Sequence, residues 1–118
     1  MTRIAELTEE TFQQGALEGA QTALVEFYAE GCAPCRALEA VLHELADEMA
    51  EQDVSFMRAD SGVERMLCER FDIRSAPTTV IFRDGAPVSR LYGLKTKRQL
   101  TRALDTATDA GQPGAAGL

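Results

Sequence analysis

Two hydrophobic periods alternate along this chain, and the places where one gives way to the other outline its elements. Thr22–Ala29 (TALVEFYA) is apolar on both alternating sides, as a central strand covered on two faces requires, and it carries one charge, Glu26. From Ala33 to about Gln52 the period lengthens. Leu38, Val41, Leu42, Leu45 and Met49 recur at helical spacing there, while Glu39, Glu44, Asp47, Glu48 and Glu51 fall largely elsewhere. Val54–Asp60 (VSFMRAD) returns to a short strand pattern, and Thr78–Arg83 is β-branched and apolar. Asp84-Gly85 is a two-residue hairpin signal. Pro87–Tyr92 is then the returning strand, placed near a sheet edge by Pro87. Arg3–Leu7 is a weaker strand pattern.

Capping signals set the remaining helices. Thr8 reads as an N-cap, with Glu9 and Glu10 in the first turn, Leu7 and Phe12 as a hydrophobic staple, and Gly19 after the helix end. Ser61-Gly62-Val63-Glu64 has capping-box spacing and predicts a helix to about Phe71. Thr96-Lys97-Arg98-Gln99 repeats the signal before a stripe of Leu100, Ala103, Leu104 and Ala107. Strands separated by helices imply parallel pairing with right-handed crossovers, and the hairpin adds an antiparallel pair. The expectation is an α/β domain over residues 1–108, a mixed sheet of four to five strands with helices on both faces. A flexible tail is expected over 109–118.

Composition narrows the class. The 118 residues are 45% hydrophobic, ordinary for one globular domain. No apolar stretch approaches the roughly 18 residues of a membrane span. Met1–Glu10 holds three glutamates and one arginine with no apolar run behind it, which argues against a secretory leader and for a cytoplasmic protein. The net charge of −7 argues against nucleic acid and anionic lipid as partners. It is unevenly spread: residues 1–59 carry 3 basic and 12 acidic side chains, residues 60–118 carry 9 and 7.

Three cysteines do not make a structural disulfide framework, so their placement matters more than their number. Cys32-Ala33-Pro34-Cys35 falls where the 22–29 strand gives way to the long helix. Residues i and i+3 of a first helical turn share a face, so the two sulfurs can approach bonding distance. At the helix mouth, unpaired N–H groups and the helix dipole stabilise a thiolate, drawing a pKa of about 8.5 downward. Pro34 suits a first turn, whose N–H groups have no partner within the helix. This pattern predicts Cys32 as exposed nucleophile and Cys35 as buried resolving thiol. A zinc site would need more ligands than this pair, and Cys68 and His43 stand at spacings that match no common finger. No metal and no cofactor are expected.

With these pieces in place the chain resembles the thioredoxin family over roughly residues 4–108. The resemblance rests on LVEFYAEGCAPC, on FDIRSAPTTVIFRDG and on Tyr92-Gly93 at the end of the following strand. It implies a thioredoxin fold, dithiol–disulfide exchange with protein substrates, and a cis peptide bond between Ala76 and Pro77 beside the sulfurs. It also implies an extended substrate strand paired with backbone at Ala76, close approach at Gly93, and a surface formed with Gly31, Ala33 and Pro34. Glu26 falls where the family has a buried aspartate beneath the second cysteine. Buried, it would take the proton from Cys35; otherwise it reaches solvent or a surface cation. Gly31 replaces the usual tryptophan, Ala33 the usual glycine, and Phe56 occupies the approximate position of a lysine that neighbours the buried acid.

The function expected is reduction of protein disulfides through a Cys32 mixed disulfide resolved by Cys35, by a monomer recharged by an electron-donating reductase. The alternative is a protein-binding module of the same fold in which the cysteines matter little. Cys68 is read as a small buried core residue, with a regulatory or dimer-forming thiol as the other reading. His43 is read as solvated surface.

Overall fold

The computed structural model describes residues 3–110. Its elements run β1 (Ile4–Glu6), α1 (Glu9–Gln13), a 3-10 turn (Ala16–Glu18), β2 (Thr22–Tyr28), α2 (Ala33–Glu48), β3 (Val54–Asp60), α3 (Arg65–Arg70), β4 (Thr78–Arg83), β5 (Ala86–Tyr92) and α4 (Lys97–Ala110). One five-stranded sheet has the order β1-β3-β2-β4-β5. β1, β3 and β2 are parallel, and β4 joins β2 and β5 antiparallel. β2 is central, and every residue from Thr22 to Phe27 is buried, as its two-sided apolar pattern requires. The part of the expected tail at 111–118 lies outside the described residues.

Local chemistry explains most boundaries. The Thr8 hydroxyl accepts from the Thr11 N–H while the Thr11 hydroxyl accepts from the Thr8 N–H, closing a capping box. The same exchange joins Thr96 and Gln99 ahead of α4. In the β4–β5 hairpin Asp84 and Gly85 have φ of 52° and 84°, the double left-handed turn whose twist matches paired strands. Pro87 stands on the edge strand, beside a register shift at Ile81/Phe82.

Three expectations are corrected. α1 ends at Gln13, because Gly15 turns left-handed at φ 86°, and Gly19 closes the separate 3-10 turn. α2 ends at Glu48 with Met49 as C-cap, and the chain to Gln52 runs on in tight turns, with N–H bonds from Ala50 to Asp47 and from Gln52 to Met49. Ser61 caps nothing: α3 starts at Arg65. Asp60 closes the preceding turn by accepting from Gly62 on its side chain and from Val63 and Glu64 on its carbonyl. The Glu64 carboxylate instead accepts from the Glu9 N–H across to α1.

Each sheet face carries its own core. Val25, Phe27, Met57, Val80 and Phe82 pack beneath Leu7, Leu17, Leu67 and Phe71 on the α1–α3 side. Leu24, Phe56 and Ile81 pack beneath Leu38, Leu42, Leu45, Leu100 and Leu104 of α2 and α4 on the other. Alternation along β2 therefore puts Glu26 on the α2 side, with Leu24.

Candidate active site

The turn from β2 into α2 builds the site. Gly31 takes φ 75°, a left-handed conformation that any side chain would strain, with no heavy atom within 4 Å of where a Cβ would stand. Cys32 is the N-cap of α2, and its sulfur accepts from the Cys35 N–H at 3.2 Å. Ala33 and Pro34 fill the first positions of the helix and lie exposed. Cys32 and Cys35 are joined as a disulfide with Cα atoms 5.2 Å apart. Cys35 is 1% exposed, whereas Cys32 is only partly covered.

Two other segments meet the disulfide. The Ala76–Pro77 bond is cis, and the Ala76 carbonyl oxygen lies 3.9 Å from the Cys32 sulfur. Gly93, at φ 77°, donates its N–H to the Pro77 carbonyl at 2.9 Å, and space is open where its Cβ would be. Tyr92 and Leu94 stand exposed on either side of it. The Cys32 sulfur thus opens onto a surface rich in bare backbone.

Behind them, polar side chains cross the α2 face in one row. Strand register aligns Glu6 of β1 with Arg58 of β3, Arg58 with Glu26 of β2, and Glu26 with Thr79 of β4. Glu26 is 0% exposed, and neither carboxyl oxygen has a hydrogen-bond partner. Burial, reinforced by Glu39 and opposed by Arg58, pushes its pKa from 4.5 to about 8. The cation aligned with the acid is Arg58. Phe56 lies two residues earlier, in the apolar core opposite Leu24. Arg58 and its partners Glu39 and Glu6 were missed. The usable signals were strand register at 58 and, for Glu39, the i+4 spacing from Cys35.

Cys68 is half-buried, which corrects the expectation of a fully buried thiol: α3 is short, and its apolar side is carried by Leu67. Its sulfur lies 3.7 Å from the Ser61 carbonyl, and burial pushes its pKa up. It lines a cavity of about 570 Å³ that reaches Ala76. His43 is exposed on α2. Among the described residues no cluster of three His, Cys, Asp or Glu is arranged to hold a metal, and no helix is long and apolar enough to cross a membrane.

Comparison with known proteins agrees with this geometry. The family pattern described as Thioredoxin matches residues 3–106. A thioredoxin of Mycolicibacterium smegmatis is 35% identical over 102 residues, 86% of this chain and 91% of that protein. Thioredoxin 1 of Synechococcus elongatus is 34% identical over 105 residues, 89% and 97% of the two chains. The structure of an N21Q mutant thioredoxin from Halobacterium salinarum superposes with a TM-score of 0.80 at 26% identity, covering 90% of this chain and 91% of that one. With a CXXC disulfide at the mouth of α2 and relatives matched over nearly their full length, the chain belongs to the thioredoxin family and is a thiol–disulfide oxidoreductase, a protein-disulfide reductase.

Proposed function

We propose that Cys32 is the nucleophile, Cys35 the resolving thiol and Glu26 the proton acceptor of this reductase. In the reduced protein the Cys32 thiolate attacks one sulfur of a substrate disulfide; the substrate S–S bond breaks and its other sulfur leaves as a thiolate. Cys35 then passes its proton to Glu26 and attacks the Cys32 sulfur. The mixed disulfide breaks, the Cys32–Cys35 bond forms, and the second substrate thiolate departs. Two electrons pass from the dithiol to the substrate, and the two substrate thiolates take up protons. Burial raises the Glu26 carboxyl to about 8, which makes it a stronger base than an ordinary carboxylate for a proton leaving a thiol.

The observation that carries this reading is the asymmetry of the pair. Cys32 is partly open, at a helix N-terminus and beside the Ala76 carbonyl, while Cys35 is sealed beneath it. Gly31, Ala33, Pro34, Ala76, Pro77 and Gly93 form the docking surface, where an extended substrate meets backbone more than side chains and many sequences are accepted. Residues 1–108 act as one cytoplasmic domain, a monomer that binds neither nucleic acid nor membrane, and a reductase returns it to the dithiol form. Trapping tests the order of attack: Cys35→Ser should accumulate reductant-sensitive covalent complexes with target proteins, and Cys32→Ser should not. Equal trapping by both would overturn the assignment. Reduction of insulin by dithiothreitol at the uncatalysed rate in the presence of the protein would favour a binding module instead.

A further inference from the structure

Arg58 stands next to Glu26 in the row across the sheet, yet its one side-chain hydrogen bond goes to Glu39 and its Nε, buried without a hydrogen bond, lies nearest Glu6. Its Nη2 donates to Glu39 Oε2 at 2.7 Å, and its Nε lies 3.6 Å from Glu6 Oε1. Its guanidinium carbon sits 3.8 Å above the centre of the Tyr28 ring, whose hydroxyl donates to the same Glu6 oxygen at 3.4 Å. The Arg58–Glu39 contact is well sheltered, with the side chains 27% and 17% exposed, so solvent screens it weakly. Both oxygens of Glu26, fully buried one strand away, are left without a hydrogen bond.

Glu39 can reach Arg58 because of where it stands on α2. It follows Cys35 by four residues, on the same side of the helix one turn further in. The charged groups that act on Glu26 are Glu39 on α2, Arg58 on β3 and Glu6 on β1, and its register partner on β4 is the uncharged Thr79. Arg58 is the only cation in that set, and two carboxylates other than Glu26 already hold it.

We propose that Glu39 is a positioning residue: by holding the Arg58 guanidinium with Glu6, it withholds from Glu26 the ion pair that would keep that carboxyl ionised. Glu26 then remains able to take up and release a proton at the pH where thiols exchange. That consequence rests on the proton-transfer role proposed above; the positioning itself does not. An arginine within a few ångströms lowers a carboxyl pKa by about 1–3 units, so releasing Arg58 should move Glu26 by an amount of that size.

The test is a carbon-13 NMR titration of the Glu26 carboxyl in the oxidised protein, where Cys32 and Cys35 do not titrate, with the signal assigned by its loss in Glu26→Gln. Glu39→Gln should lower the midpoint by at least about one unit, and in an Arg58→Gln background the same change should lower it much less, by only the lost repulsion of the Glu39 charge. Glu39→Asp, which keeps the charge but shortens the reach, should lower it as well. Glu44→Gln, on the same helix but paired with Lys97, should leave it unchanged. An unmoved midpoint in Glu39→Gln would overturn the proposal. So would a shift that is undiminished without Arg58, or one absent in Glu39→Asp, because either would mean simple charge repulsion. The titration reads Glu26 directly, so a Glu26 without any part in turnover would defeat the proton-transfer reading and leave this result standing.

Discussion

The two faces of the sheet are built from the same strands and differ in what interrupts them. Under α1 and α3 the core is apolar and the buried Thr78 hydroxyl is spent on the Ser75 carbonyl, while Phe71 stands edge-on to both Phe12 and Phe82, with ring centres 5.6 and 5.1 Å apart. Under α2 and α4 an apolar core of the same kind covers most of the face, but one register row replaces it with Glu6, Arg58, Glu26 and Thr79. A buried, unpartnered carboxyl destabilises the fold once it is ionised. The comparison teaches a division of tasks: one face supplies cohesion, and the other gives up some of it at the end of α2 that carries the disulfide.

The largest expected effect isolates that polar row. Because the folded pKa of Glu26 is raised, its contribution to stability is fully present below about 4.5, falls as pH rises, and is gone above about 8. At about 1.4 kcal/mol per unit, the loss is on the order of 5 kcal/mol. Urea melts at pH 4, 7 and 9 should show wild type weakening relative to Glu26→Gln as pH rises, and parallel curves would mean that Glu26 ionises freely. Turnover of Glu26→Gln should slow at the Cys35 step, with Cys32 alkylation nearly unchanged.

Phe82→Ala strikes the apolar face. It should cost about 3–5 kcal/mol by emptying a fully buried site against Phe71, while thiol exchange per folded molecule stays close to wild type. Lost exchange in protein that is demonstrably folded would show that the two faces are not separable. Gly85→Ala touches neither face. It places a Cβ at φ 84° where space is open, so only backbone strain of about 1 kcal/mol is expected, visible as a small fall in Tm. Smallest of all, Cys68→Ala should change stability by about 1 kcal/mol or less and leave turnover intact, since its sulfur makes one weak contact. A clear loss of activity in that variant would bring the cavity beside Ala76 into the reaction.

Much of this molecule is set by contacts between near neighbours, and the sequence determined those parts by itself. The Thr8 and Thr96 caps, the Asp84-Gly85 turn, the doubly buried β2 and the placement of Cys32-Ala33-Pro34-Cys35 at a strand-to-helix junction all depend on residues within a turn or two of each other. The Ala76–Pro77 geometry came through resemblance, since no local pattern shows a cis bond. What only the tertiary structure decided is which distant groups compete. Ser61-Gly62-Val63-Glu64 has the spacing of a capping box, but Asp60 closes that turn and the Glu64 carboxylate serves α1. Glu26 was visible as a lone charge in a strand, yet its lack of a partner follows from the register that sets Arg58 beside it and from Glu39 and Glu6 holding that arginine elsewhere. A shift of one residue in that register would turn Arg58 to the other face, so its role belongs to the pairing of strands some thirty residues apart and not to the pattern of either strand alone.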